Sequence, residues 1–183
     1  ESGGGLLLRG RALGLLPILG WTRRNARRRV VTRGFTGAAS PDDRFGLAFT
    51  SRGSEVLGIG NAPVVELAEG PVMRVEIDAF ERMDLVAGGE VLAEEYARFD
   101  GRTRIEARAL LCAWRVGRGR VLALGVHGDA GELPAPLRAK LEVWLAGSAD
   151  AEAVVTRVLD LEPDPALDAW GPVAQPDVAD GSA

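Results

Sequence analysis

The chain has 183 residues, 46% of them hydrophobic, and a formal net charge of −4. That is enough apolar material for one ordinary domain whose core needs no disulfide or metal to hold it. One cysteine rules out an internal disulfide, and a single histidine beside it rules out a zinc ligand set.

Charge is unevenly spread, since residues 1–60 carry ten Arg against four acids and the remainder carries the compensating acid. The run Arg23, Arg24, Arg27, Arg28, Arg29 has the make-up of a phosphate footprint. Lys140 is nevertheless the one lysine against 21 Arg, and with abundant Ala, Gly and Val this reads as codon usage in a GC-rich genome. Nucleic acid is therefore not an expected partner. The chain opens on Glu1 and runs at once into glycine, which reads as a fragment of a longer protein.

In chain order, the first expected element follows Ser2-Gly3-Gly4-Gly5, where leucines 6, 7, 13 and 16 with Ala12 suit a short buried helix stopped at Pro17 or Gly20. Leu6 to Trp21 is the most apolar stretch, but Arg9 and Arg11 interrupt it and it is shorter than the roughly 20 residues that span a bilayer. No membrane anchor or secretory signal is read there. The reduced, lone Cys112 and the absence of targeting features point to a cytoplasmic home.

Short apolar runs come next, at Val30-Val31, Phe45 to Phe49, Val64 to Leu67 and Val72 to Ile77, with turn residues between them. These predict strands. Ala107 to Val116 and Val121 to Val126 flank Gly117-Arg118-Gly119-Arg120 and predict a β-hairpin. Leu137, Leu141, Trp144 and Leu145 recur at helical spacing after Pro134 and Pro136, so residues 135–146 form an amphipathic helix. Asp150 suits the N-cap of a further helix reaching about Leu161, and residues 163–183 read as a disordered tail to a domain over residues 1–162.

Three residues could carry chemistry together: Ser2 among glycines at a helix start, His127 at a strand end, and Asp129 two residues later. A hydroxyl on a strand-to-helix turn is held outward beside backbone N–H groups that stabilise an oxyanion. An imidazole takes its proton, and a carboxylate holds the imidazole in one tautomer. Phosphate-loop and dinucleotide fingerprints are absent, and no metal or other cofactor is expected.

Ser2-Gly3-Gly4, the hairpin Gly117 to Val126 with His127-Gly128-Asp129 after it, and the turn Glu69-Gly70-Pro71 resemble, in order and spacing, the class I glutamine amidotransferases and relatives such as the N-terminal domain of biotin protein ligases. The resemblance spans residues 2 to about 146. It implies the C-terminal part of a flavodoxin-like three-layer α/β domain whose first strands precede Glu1. It also implies catalysis by Ser2, His127 and Asp129, an oxyanion donor at Gly3, and substrate contacts at Gly70 and Pro71. The family's elbow holds Cys where Ser2 stands and its histidine partner is Glu where Asp129 stands, so hydrolysis of a small-molecule or peptide amide, or of an ester, is the reaction implied. Two readings stay open at this point: such a hydrolase, or a non-catalytic member that binds a ligand or a partner. A serine in a glycine run also suits a flexible linker, and a histidine at a strand end an incidental polar cap.

Overall fold

The structure is a computed structural model that describes residues 4–33, 40–60, 64–127, 132–147 and the strand 156–161. Its centre is the hairpin read from the sequence. Strands β7 (Arg102–Val116) and β8 (Gly119–Leu124) pair antiparallel from Leu111↔Leu124 to Val116↔Gly119. β8 alternates sharply, with Leu122 and Leu124 packing into one apolar cluster and Val121 and Ala123 into another on the opposite face. A strand buried on both faces needs cover on both.

One cover is helix α3 (Ala135–Ala146), at the expected place, which buries Leu137, Leu141, Trp144 and Leu145. Gly147 ends it in the left-handed conformation, φ 88°. Arg120 of β8 reaches the exposed carbonyls there, with Nη1 donating to the Trp144 oxygen at 2.6 Å and Nη2 to the Gly147 oxygen at 3.1 Å, while its guanidinium lies 5.3 Å from the centre of the Trp144 ring. A cation at a helix C-terminus satisfies orphan carbonyls and the helix dipole together.

The other cover corrects the helix expected from Leu6 to Leu16. Gly5–Gly10 is instead strand β1, parallel to β8 (Gly5↔Arg120 to Arg9↔Leu124), and only then come one 3₁₀ turn (Arg11–Gly14) and the short α1 (Leu15–Ile18). Leu6-Leu7-Leu8 is a continuous apolar run because β1 has a strand on either side, and a central parallel strand shows no alternation to set it apart from a buried helix. Ala12, Leu13 and Leu16 pack with Leu8 and with Trp114, which stacks on Trp21 at 6.2 Å. The helix expected from Asp150 is also overturned: Thr156–Leu161 is a strand, parallel to β1 and outermost on that side.

The remaining strands are antiparallel. β2 (Arg27–Arg33) pairs with β5 (Met73–Glu81), β3 (Arg44–Phe49) lies between β4 (Val64–Glu69) and β6 (Glu90–Phe99), and β6 pairs with β7. β9 (Val126–His127) extends the line of β8, and the strand of residues 156–161 is β10. β6 has no counterpart in the sequence reading, although Asp100-Gly101, both left-handed at φ 53° and 70°, is the strongest short hairpin signal a chain offers. Another unread element, helix α2 (Ser51–Leu57), is capped by Thr50, whose hydroxyl accepts from the Gly53 N–H at 2.9 Å.

The fold is thus a curled, mostly antiparallel mixed sheet with parallel pairing confined to β10-β1-β8, and the flavodoxin-like three-layer α/β expectation is overturned. The physical reason lies in the links. A parallel three-layer sheet needs a helical crossover between successive strands, whereas β3 to β8 here are joined largely by turns and short helical pieces. Among the described residues no helix is long and apolar enough to cross a membrane.

Candidate functional site

Parallel strands bring their carboxyl ends to one edge, where loops and turns build ligand sites. At that edge β1 leaves the sheet through Gly10, with φ 55° and ψ −136°, and turns at once into the helical residues Arg11–Ile18. This is a strand-to-helix turn, eight residues beyond Ser2; a second, at Thr50, leads from β3 into α2. A residue on such a turn projects out of the sheet, which is the position a nucleophile requires. Glycine puts no side chain there.

Beside Gly10 the neighbouring strand also breaks. β8 ends at Leu124, opposite Arg9, and Gly125 follows. At this point β7 and β8 diverge and β5 enters the fork, pairing Phe80 and Glu81 with Ala109 and Arg108 of β7, and Glu76 and Ile77 with His127 and Val126 of β9. Gly125 ties the fork together. Its N–H donates to the Leu110 carbonyl at 2.8 Å and its own carbonyl accepts from the Asp78 N–H at 2.8 Å.

The sequence Val75-Glu76-Ile77-Asp78-Ala79 alternates as a half-buried strand should, with Val75, Ile77 and Ala79 in the core and Glu76 and Asp78 on the other face. That face meets His127. The imidazole Nε2 lies 2.7 Å from Asp78 Oδ2, and both side chains are about one-sixth exposed, at 16% and 17%. A carboxylate accepts, so the contact assigns the proton of the neutral ring to Nε2 and leaves Nδ1 as an acceptor. Next along the strand, Glu76 accepts from Arg28 at 2.8 Å and from Arg74 at 3.0 Å. The hydrogen bond from Arg28 is the main cause holding the Glu76 carboxyl below its ordinary range, against partial desolvation that pushes the other way.

Of the expected site residues, His127, Gly70 and Pro71 lie within the described residues. Ser2, Gly3 and Asp129 lie outside the described residues. The first described residue, Gly4, sits at the end of β1 remote from Gly10, its carbonyl accepting from the Arg120 N–H at 3.0 Å where β8 begins. Among the described residues the carboxylate on His127 is Asp78, a residue that sequence proximity could not suggest because 49 positions separate the two. Gly70 and Pro71 belong to another cluster. Gly70, at φ 103°, donates to the Asp43 carbonyl at 2.9 Å, and the buried Asp43 carboxylate accepts from the Asp100 N–H at 3.0 Å, so this turn is knotted to the tip of the β6–β7 hairpin.

Cys112 is fully buried among Leu8, Trp114 and Ala123, and burial pushes its thiol up, away from the reactive thiolate. Among the described residues no group of three or more His, Cys, Asp or Glu is placed to hold a metal. The arrangement can accept a proton or a hydrogen bond at His127 Nδ1, but its elbow offers no nucleophile. No protein-family model and no curated protein matches the chain.

Proposed function

We propose that the chain is a non-catalytic module that binds a polar ligand where β1 and β9 end, with His127, oriented by Asp78, as its hydrogen-bonding centre. The observation that carries this reading is glycine at the turn from β1 into the helical residues 11–18, at φ 55° and ψ −136°. A turn shaped to present a side chain, carrying none, leaves the imidazole at the strand ends while lacking the group that would attack a carbonyl. The ligand addressed is one with an N–H or O–H to give to Nδ1.

The rival reading is hydrolysis of an amide or ester through Ser2, His127 and Asp129, and one observation favours its base: the imidazole is held by a carboxylate, that of Asp78, as such chemistry requires. One assay separates the two. Purified protein is offered a fluorophosphonate probe, p-nitrophenyl acetate and glutamine. The binding reading expects no labelling, and turnover no greater than that of Ser2→Ala and His127→Ala. Labelling or turnover removed by both substitutions overturns it in favour of the hydrolase.

A further inference from the structure

Beside residues 27–29 of β2 and 77–81 of β5 lies a cavity of about 220 Å³ that the reading above does not use. Its floor is apolar and buried, formed by Ile77, Ala79 and Phe80. Its walls are mainly cationic, with Arg27 and Arg29 on β2 and Arg108 on β7 beside the one carboxylate of Glu81 among the lining residues. Alternation of side chains along β2 is what puts Arg27 and Arg29 on one face, opposite Ala79 and Ile77.

The guanidiniums are set for a carboxylate. Arg29 Nη2 and Arg108 Nη1 donate to the two oxygens of Glu95, which is 2% exposed and stands behind the wall. Each uses one contact on Glu95 and retains further N–H donors, and both side chains are partly open to solvent, at 42% and 36%. The Glu95 carboxylate thereby fixes the two forks in place and lowers the entropy a ligand would lose in ordering them. Arg27 is held only loosely, 4.0 Å from Glu81 and 72% exposed, so it can swing to a ligand. Arg28, also at the rim, holds Glu76.

We propose that this cavity binds a small organic carboxylate with a compact apolar body. The anion meets the donors of Arg27, Arg29 and Arg108, and the apolar body lies on Ile77, Ala79 and Phe80. Planar guanidinium forks match a carboxylate in two contacts, and the apolar floor adds a contact that an inorganic anion cannot use. A partly open space of this size suits a small free molecule.

Isothermal titration calorimetry at low ionic strength tests this with benzoate, its neutral isostere benzamide, inorganic phosphate and a single-stranded oligonucleotide. Benzoate is expected to bind at least roughly tenfold more tightly than benzamide or phosphate, the size of one good charge-assisted contact. Arg27→Glu, at an exposed position, should weaken benzoate by a similar factor with the thermal midpoint unchanged. Arg108→Lys keeps a charge against Glu95 and should weaken it less. The proposal is overturned if benzoate fails to bind at about 10 mM, if benzamide or phosphate binds as well, or if Arg27→Glu leaves affinity intact. Oligonucleotide binding tighter than benzoate, with a steep salt dependence, would also overturn it and make the arginines a polyanion surface.

Discussion

Asp78 and Gly125 are locked backbone to backbone: the Asp78 N–H donates to the Gly125 carbonyl at 2.8 Å, and a Cβ on Gly125 would stand 1.9 Å from the Asp78 carbonyl oxygen. The contact lies at the fork where β5 enters between β7 and β9, and it sets the register that brings Asp78 under His127. Both partners are main chain, so neither can move aside by changing rotamer. Gly125→Ala should therefore cost about 3 kcal/mol or more, at the upper end for an overpacked position. Urea denaturation measures it. A loss within about 0.5 kcal/mol, typical of a surface change, would show that β5 is not wedged in this way.

Two glycines at the start of the helical cover, Gly10 just before it and Gly14 at its fourth residue, should respond in opposite senses. Gly10 sits at φ 55° and ψ −136°, a conformation that side chains resist, and Gly10→Ala should lose about 1–3 kcal/mol. Gly14 has φ −63° and ψ −14°, and a Cβ there would meet nothing within 4 Å. Gly14→Ala should gain about 0.4–1 kcal/mol by restricting the unfolded chain. Thermal melts of both variants provide the comparison, and equal effects would contradict the strand-to-helix turn at Gly10.

Glu95 is a buried carboxylate bracketed by Arg29 and Arg108. Removing both arginines leaves an uncompensated charge in the core, and Arg29→Ala with Arg108→Ala should cost about 3–5 kcal/mol. Adding Glu95→Gln to that background should restore part of the loss, because the stranded charge is then gone. Purely additive losses across this cycle would mean the three side chains do not act as a unit.

Acid sensitivity should map to Glu76. Arg28 holds its carboxyl below the ordinary value, so the folded state favours the ionised form. A depressed folded pKa gives stability that is complete above the unfolded value, about 4.3, and is lost as pH falls through the folded one. The stability gap between the natural protein and Glu76→Gln should accordingly be full at about pH 6 and shrink toward pH 3. A gap that stays constant over this range would place the carboxyl outside the influence of Arg28.

Local patterns alone determined several elements of this protein. The β7–β8 hairpin, α3 and the strands around Phe45, Val64 and Val75 are each specified by contacts within a few residues: a glycine turn, a stripe of Leu137, Leu141 and Trp144, short apolar runs between breakers. The Asp100-Gly101 turn was equally local and would have revealed β6. Tertiary structure decided the rest. Leu6-Leu7-Leu8 suits a buried helix or a buried strand equally, and only the presence of β8 and β10 on either side selects the strand. That choice moves the strand-to-helix turn from Ser2 to Gly10. Likewise His127 was visible as the one imidazole, but its carboxylate came from Asp78, 49 residues away, because β5 fills the gap left where β7 and β8 part. Pairing between strands distant in sequence has no local signature, since hydrogen bonds along a sheet edge depend on which backbone arrives there and not on its side chains.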